Sequence, residues 1–71
     1  MKYNEDSHAS PIALRRRALG LTQAQLAEIS GVNFRMIQHY EQGVKDISHA
    51  PAFKVYCIAK ALGCTVEDLI K

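Results

Sequence analysis

Apolar and polar positions along the 71 residues recur at helical spacing, with no strand-like alternation and no internal repeat. The clearest stretch is QAQLAEISGVNFRMIQHYEQ, residues 23–42. Leu26, Ala27 and Ile29 give its first half an apolar side, and Thr22 with Gln25 forms a T-x-x-Q capping box ahead of it. Gly31 then supplies the backbone freedom of a sharp turn, and Val32 is an apolar plug for the corner. Asn33 caps a second helix that Gly43 is placed to stop. The pattern predicts two short helices joined by a tight turn. A small Ala27 lets them approach, with Ile37 and Tyr40 facing back towards the first helix.

The flanks extend this reading to an all-α compact bundle of about five helices. Ser10-Pro11, a cap followed by proline, opens helix 1, which runs to about Leu19. Ile12 and Leu19 share its inner face, with Leu14 and Ala18 towards one flank. Arg15 falls on the apolar side, where it either snorkels along its stem or leaves the packing to Leu14. Helix 4 is expected to begin near Ser48 or Ala50, with Pro51 in its first turn, and to end at Leu62-Gly63. Ala52, Val55, Ile58, Ala59 and Leu62 should form core. Thr65-x-x-Asp68 is a second capping box, opening a short helix 5 with Val66 and Leu69 inward and Ile70 at the margin. Residues 1–9 are polar and unpatterned and read as a flexible N-terminal arm, with Tyr3 its one packing residue; residues 10–71 form the helical domain.

On Leu26, Ala27, Gly31, Val32, Ile37, Tyr40, Glu41 and Gly43, the central stretch resembles the helix-turn-helix of the lambda-repressor-like, XRE-type DNA-binding family. Gly20-Leu21-Thr22-Gln23 upstream and Ile58-Ala59-Lys60-Ala61-Leu62-Gly63 downstream also fit, so the likeness covers roughly 60 residues. The chain departs from the family at Arg15, where Leu is usual, and in the connection 43–49, which is longer and lacks the common Pro. The resemblance implies a small transcriptional regulator that binds double-stranded DNA by inserting helix 3, about residues 33–42, into the major groove. Ala27, Gly31, Ile37, Tyr40 and Glu41 would be its structural motif. The resemblance further implies that Arg16 pairs with Glu41 and approaches a phosphate. It carries phosphate contacts to Thr22, Gln23, Gln42 and Lys45. Members usually bind as dimers on half-sites about one helical turn apart. A homodimer would have to form through helix 5, the N-terminal arm or the 43–49 loop.

A helical wheel separates helix 3 into two faces. Met36, Ile37 and Tyr40 cluster on one, with Glu41 at the border, and Phe34, Arg35, Gln38, His39 and Gln42 occupy the other. Arg35 suits the O6/N7 edge of guanine, Gln38 the N6/N7 edge of adenine and Phe34 a thymine methyl, with His39 a further hydrogen-bonding group. The bland alternative is an ordinary polar surface with Phe34 folded back onto helix 2; the resemblance favours base reading. Thr22 and Gln23 have a physical reason to meet phosphate, because a helix N-terminus offers free donors and a positive dipole end.

Charge adds little by itself, since a net +2 is too small to argue nucleic acid. Its distribution is more suggestive: Arg15, Arg16, Arg17, Arg35 and Lys45 lie in the first two-thirds, and Glu5, Asp6, Glu67 and Asp68 near the ends. Three consecutive arginines on a helix cannot all point one way, and Arg16 is the one expected to act. The absence of a long apolar run or signal pattern argues against a membrane or export and for a cytoplasmic protein. Cys57 and Cys64, about 10 Å apart on a continuous helix, read as reduced and structural. His8, His39 and His49 are scattered, which argues against a metal. No nucleophile elbow or Gly-rich phosphate loop is present, so neither an enzyme nor a cofactor is expected. The rival reading is a protein-interaction module on the same scaffold, antitoxin-like or a scaffold subunit, which the modest charge and acidic ends favour slightly.

Overall fold

The computed structural model describes residues 10–70, so the expectations for the arm at 1–9, Tyr3 among them, lie outside the described residues. Five helices follow in order: α1 (Pro11–Ala18), α2 (Gln23–Ser30), α3 (Phe34–Gln42), α4 (Ala52–Leu62) and α5 (Val66–Ile70). A 3₁₀ turn, Ile47–His49, interrupts the connection between α3 and α4. The described residues contain no strand.

Local chemistry sets the boundaries. Ser10 Oγ accepts from the Ala13 N–H at 3.1 Å, and Pro11 at the first helical position has no N–H to leave unpaired. The Thr22 N–H donates to Gln25 Oε1 at 2.8 Å while the Gln25 N–H donates to Thr22 Oγ1 at 3.0 Å, so the predicted box closes in both directions. Asn33 Oδ1 accepts from the Arg35 N–H at 2.7 Å, and Gly31 turns the corner at φ 75°. Thr65 and Asp68 reciprocate in the same way at the head of α5, at 3.0 and 3.2 Å.

Ile12, Leu26, Val32, Ile37, Tyr40, Val55, Ile58, Ala59, Leu62 and Leu69 form one buried cluster. Leu26, Ile37 and Ile58 are fully enclosed, each contributing about 2 kcal/mol by removal from water. α2 packs on both α3 and α4, and α5 closes the bundle against α1 and α4. This arrangement clamps the inner side of α3 and leaves its outer side open.

Several packing expectations fail, each because helical spacing constrains angle but not neighbours. Leu19 is half-exposed: α1 ends at Ala18, and Leu19 is its C-cap, outside the inward stripe. Ala13 fills the place beside Ile12 instead, and Leu14 and Ala18 are exposed. Arg15 neither snorkels inward nor yields its place to Leu14; it lies exposed, 3.7 Å from Asp68 on α5. Ile29 is 57% exposed, and α2 buries Ser30 in its place. That hydroxyl is satisfied, accepting from the Val32 N–H at 3.2 Å and donating to the Ala27 carbonyl at 3.4 Å, so it braces the turn.

After α3 the chain also departs from expectation. Pro51 is the N-cap of α4, not part of its first turn, and Ala52 is exposed. Ser48 belongs to the 3₁₀ turn, where Asp46 Oδ1 accepts from its N–H at 3.0 Å and its hydroxyl at 2.8 Å. These two bonds, the backbone one first, hold the Asp46 carboxyl below its ordinary range. Ile47 tucks against the core, which the sequence reading did not foresee. Cys57 and Cys64 are both free, and Cys64 lies beyond the Gly63 stop instead of on the same helix.

Candidate nucleic-acid interface

The two faces of α3 separate as its sequence implies. Ile37 and Tyr40 are buried and Met36 is partly so, whereas Phe34, Arg35 and Gln42 are exposed and Gln38 and His39 are intermediate. Phe34 is not part of the core cluster and is 44% exposed. His39 is only partly on the outer face, with its Nδ1 turned inward and without a hydrogen-bond partner. No carboxylate shares the outward side of α3, since Glu41, the one acidic residue of the helix, is turned inward.

Glu41 is the hub beneath this face. Arg16 reaches it from α1 with Nε donating to Oε2 at 2.7 Å and Nη2 donating to Oε1 at 3.0 Å. The side chains are 11% and 5% exposed, so this is a buried, bidentate pair, and the Arg16 Nη1 also donates to the Leu21 carbonyl at 2.7 Å. From α2, Gln23 Nε2 donates to the same Glu41 Oε1 at 2.9 Å. Gln38 Nε2 in turn donates to Gln23 Oε1 at 3.5 Å. A continuous polar chain therefore runs from α1 through the core boundary to the outer face of α3. The two bonds of Gln23 had no sequence signal, because they join side chains from different helices, and the bond from Arg16 to the Leu21 carbonyl had none because it depends on how the connection between α1 and α2 folds.

The remaining candidate residues flank this face. Thr22 caps α2, and the next N–H groups, those of Gln23 and Ala24, lie in a first turn that leaves such donors without an intrahelical acceptor. At the other end Gln42 is exposed, Gly43 reverses the chain at φ 80°, and Lys45 is exposed just past it. The Val44 and Lys45 N–H groups both donate to the His39 carbonyl, at 3.0 and 3.3 Å, which ties Lys45 to the end of α3. Ala27 is partly buried where α2 meets the core cluster. Among the described residues no group of three or more His, Cys, Asp or Glu could hold a metal ion, and no helix is long and apolar enough to cross a membrane.

Comparison with known proteins agrees with this geometry. A helix-turn-helix family profile matches residues 12–69, from α1 into α5. A relative from Rhodospirillum rubrum, named as an uncharacterized transcriptional regulator in the ATPase CF(0) region, is 41% identical over 66 residues. That alignment takes in 92% of this chain and 58% of the relative, so the chain spans little more than half its length. No solved structure matches. With the profile covering nearly every described residue and the turn geometry formed as the motif requires, the chain belongs to the helix-turn-helix family, in its lambda-repressor-like, XRE-type form.

Proposed function

We propose that the chain is a sequence-specific double-stranded-DNA-binding transcriptional regulator that inserts α3 into the major groove. The observation that carries this reading is the outward side of α3: Phe34, Arg35, Gln38 and His39, with no carboxylate among them, on a helix locked from behind by buried Ile37 and Tyr40. Arg35 donates to the O6/N7 edge of guanine, Gln38 pairs the N6/N7 edge of adenine, and Phe34 lies on a thymine methyl. His39 supplies a further polar contact through the part of its ring that is open.

Phosphate is met at two ends of the face. The free N–H groups at the start of α2, with Thr22 and Gln23, sit at a positive dipole end, and Gln42 and Lys45 act beyond α3. Arg16, enclosed by Glu41 and the Leu21 carbonyl, serves more as the strut that orients α3 than as a phosphate ligand. Two copies on adjacent half-sites would present two such faces about one helical turn apart.

A second reading, a protein-interaction module, is favoured by one observation. Phe53 is 74% exposed, and Tyr56 of α4 and Ile29 of α2, each about half-exposed, line one shallow groove. Selection of bound duplexes from a random pool separates the readings. A recovered consensus supports DNA recognition, and a palindromic one supports the dimer. Recovery of no sequence above background, even at low salt, would leave the interaction module in the lead.

A further inference from the structure

Among the described residues, one buried side-chain nitrogen or oxygen lacks a hydrogen-bond partner: Nδ1 of His39 on α3. The residue as a whole is only partly buried, and its other ring nitrogen, Nε2, is not enclosed in this way. That asymmetry decides the outward chemistry of the ring. A neutral imidazole carries one proton, on one nitrogen or the other. On Nδ1 it would make a donor with neither water nor an acceptor in reach, and orphaned N–H groups are rarer in folded chains than under-used acceptors. On Nε2 it leaves only a bare lone pair inside, which costs less. A second proton would go to Nδ1 and change nothing at Nε2. In each of these states the open nitrogen donates and cannot accept.

The major groove offers such a group a short choice. Guanine presents two acceptors side by side, N7 and O6, whereas adenine sets its N6-amino donor beside N7 and cytosine offers its N4 donor. Resting on the DNA-binding reading above, we infer that His39 is a specificity-determining residue that donates from Nε2 to the N7/O6 edge of a guanine, its donor sense set by the closed Nδ1. Arg35 stands four residues earlier on the same side of α3, so the guanine of His39 is a second one, apart from that of Arg35.

Affinities for the selected duplex, with each guanine in turn replaced by 7-deazaguanine, test the base contact. The analogue keeps its Watson–Crick pairing and lacks the N7 acceptor. At one guanine the replacement should weaken binding by the parent about three- to ten-fold, the worth of one hydrogen bond. There His39→Ala should bind the natural and the substituted duplex alike, while the loss at the guanine of Arg35 persists. His39→Gln, whose amide both donates and accepts, should restore the sensitivity and admit adenine at that position more readily than the parent does. Equal losses in the parent and His39→Ala at every guanine would overturn the inference. So would an even weakening by His39→Ala on all duplexes, which marks a phosphate contact.

The free protein supplies a test that needs no DNA. In two-bond nitrogen–proton NMR spectra in alkaline buffer, the His39 ring should show a protonated Nε2 and a bare Nδ1. A ring protonated at Nδ1 instead would overturn the inference even where duplex selection returns a consensus, and the DNA reading would stand. The expected ring in a protein that selects no duplex would overturn the DNA reading, and the guanine assignment with it.

Discussion

Arg16 on α1 and Glu41 on α3 stand 25 residues apart in sequence, yet their side chains meet fork to fork, at 2.7 and 3.0 Å, with little of either open to water. Two charges removed from water persist only when each is fully answered. Glu41 receives three donors and Arg16 has the Leu21 carbonyl as a further acceptor. Glu41→Ala leaves a guanidinium enclosed without its anion and should cost about 3 kcal/mol in urea unfolding. Replacing both partners together, Arg16→Met with Glu41→Leu, should cost less than Glu41→Ala alone. Additive losses in that double-mutant cycle would remove the pair from the account.

Gly31 tests the turn without involving packing. A Cβ built there meets nothing within 4 Å, so any loss on substitution comes from the backbone at φ 75°. Gly31→Val should cost about 1–2 kcal/mol, and Gly31→Asn less, since Asn tolerates the left-handed region. Equal melting temperatures for the two variants would show that strain is not what Gly31 relieves. At Ala27, by contrast, Leu should destabilise by roughly 1–3 kcal/mol through overpacking between α2 and its neighbours.

The reading face separates stability from binding. Arg35 is exposed and outside the core, so Arg35→Ala should change unfolding by less than about 0.5 kcal/mol. On the selected duplex it should weaken binding by roughly 1–3 kcal/mol and relax the preference at one position. Unchanged affinity for every single-base variant would mean that α3 is not the reader.

Binding should also fall with salt. With about four or five phosphates met per subunit, the log–log slope of affinity against salt should lie near −4 per monomer. Lys45→Ala should make that slope shallower by about one while leaving the sequence preference intact. A slope unmoved by Lys45→Ala would take that residue off the phosphate list.

Cys64 offers a check on local burial. Desolvation raises its thiol above the ordinary value; nearby Arg15 pulls the other way and Asp68 adds to the rise. The thiolate is the reactive form, so at pH 8 Cys64 should alkylate more slowly than free cysteine and catch up only as the pH rises. Mass spectrometry resolves the two cysteines. Alkylation as fast as the free amino acid would place Cys64 in water.

Local sequence determined the helices and their ends, because a cap, a positive-φ glycine or a proline acts on backbone within three or four residues of itself. Ser10-Pro11, the Thr22–Gln25 box, Gly31, Asn33, Gly43 and Thr65–Asp68 all operate where the chain alone places them. The two faces of α3 were legible for the same reason: on one straight helix, spacing gives angle. What angle cannot give is the neighbour. Whether Ile29 or Ser30 goes inward, where Leu19 points once α1 has stopped, and that Arg15 meets Asp68 depend on how α1, α2, α4 and α5 sit against one another. The Arg16–Glu41 partnership was expected only through family resemblance, and nothing local in the chain announces it. The path from Glu41 through Gln23 to Gln38 belongs wholly to the tertiary structure, since it requires α1, α2 and α3 to bring four side chains within hydrogen-bonding reach.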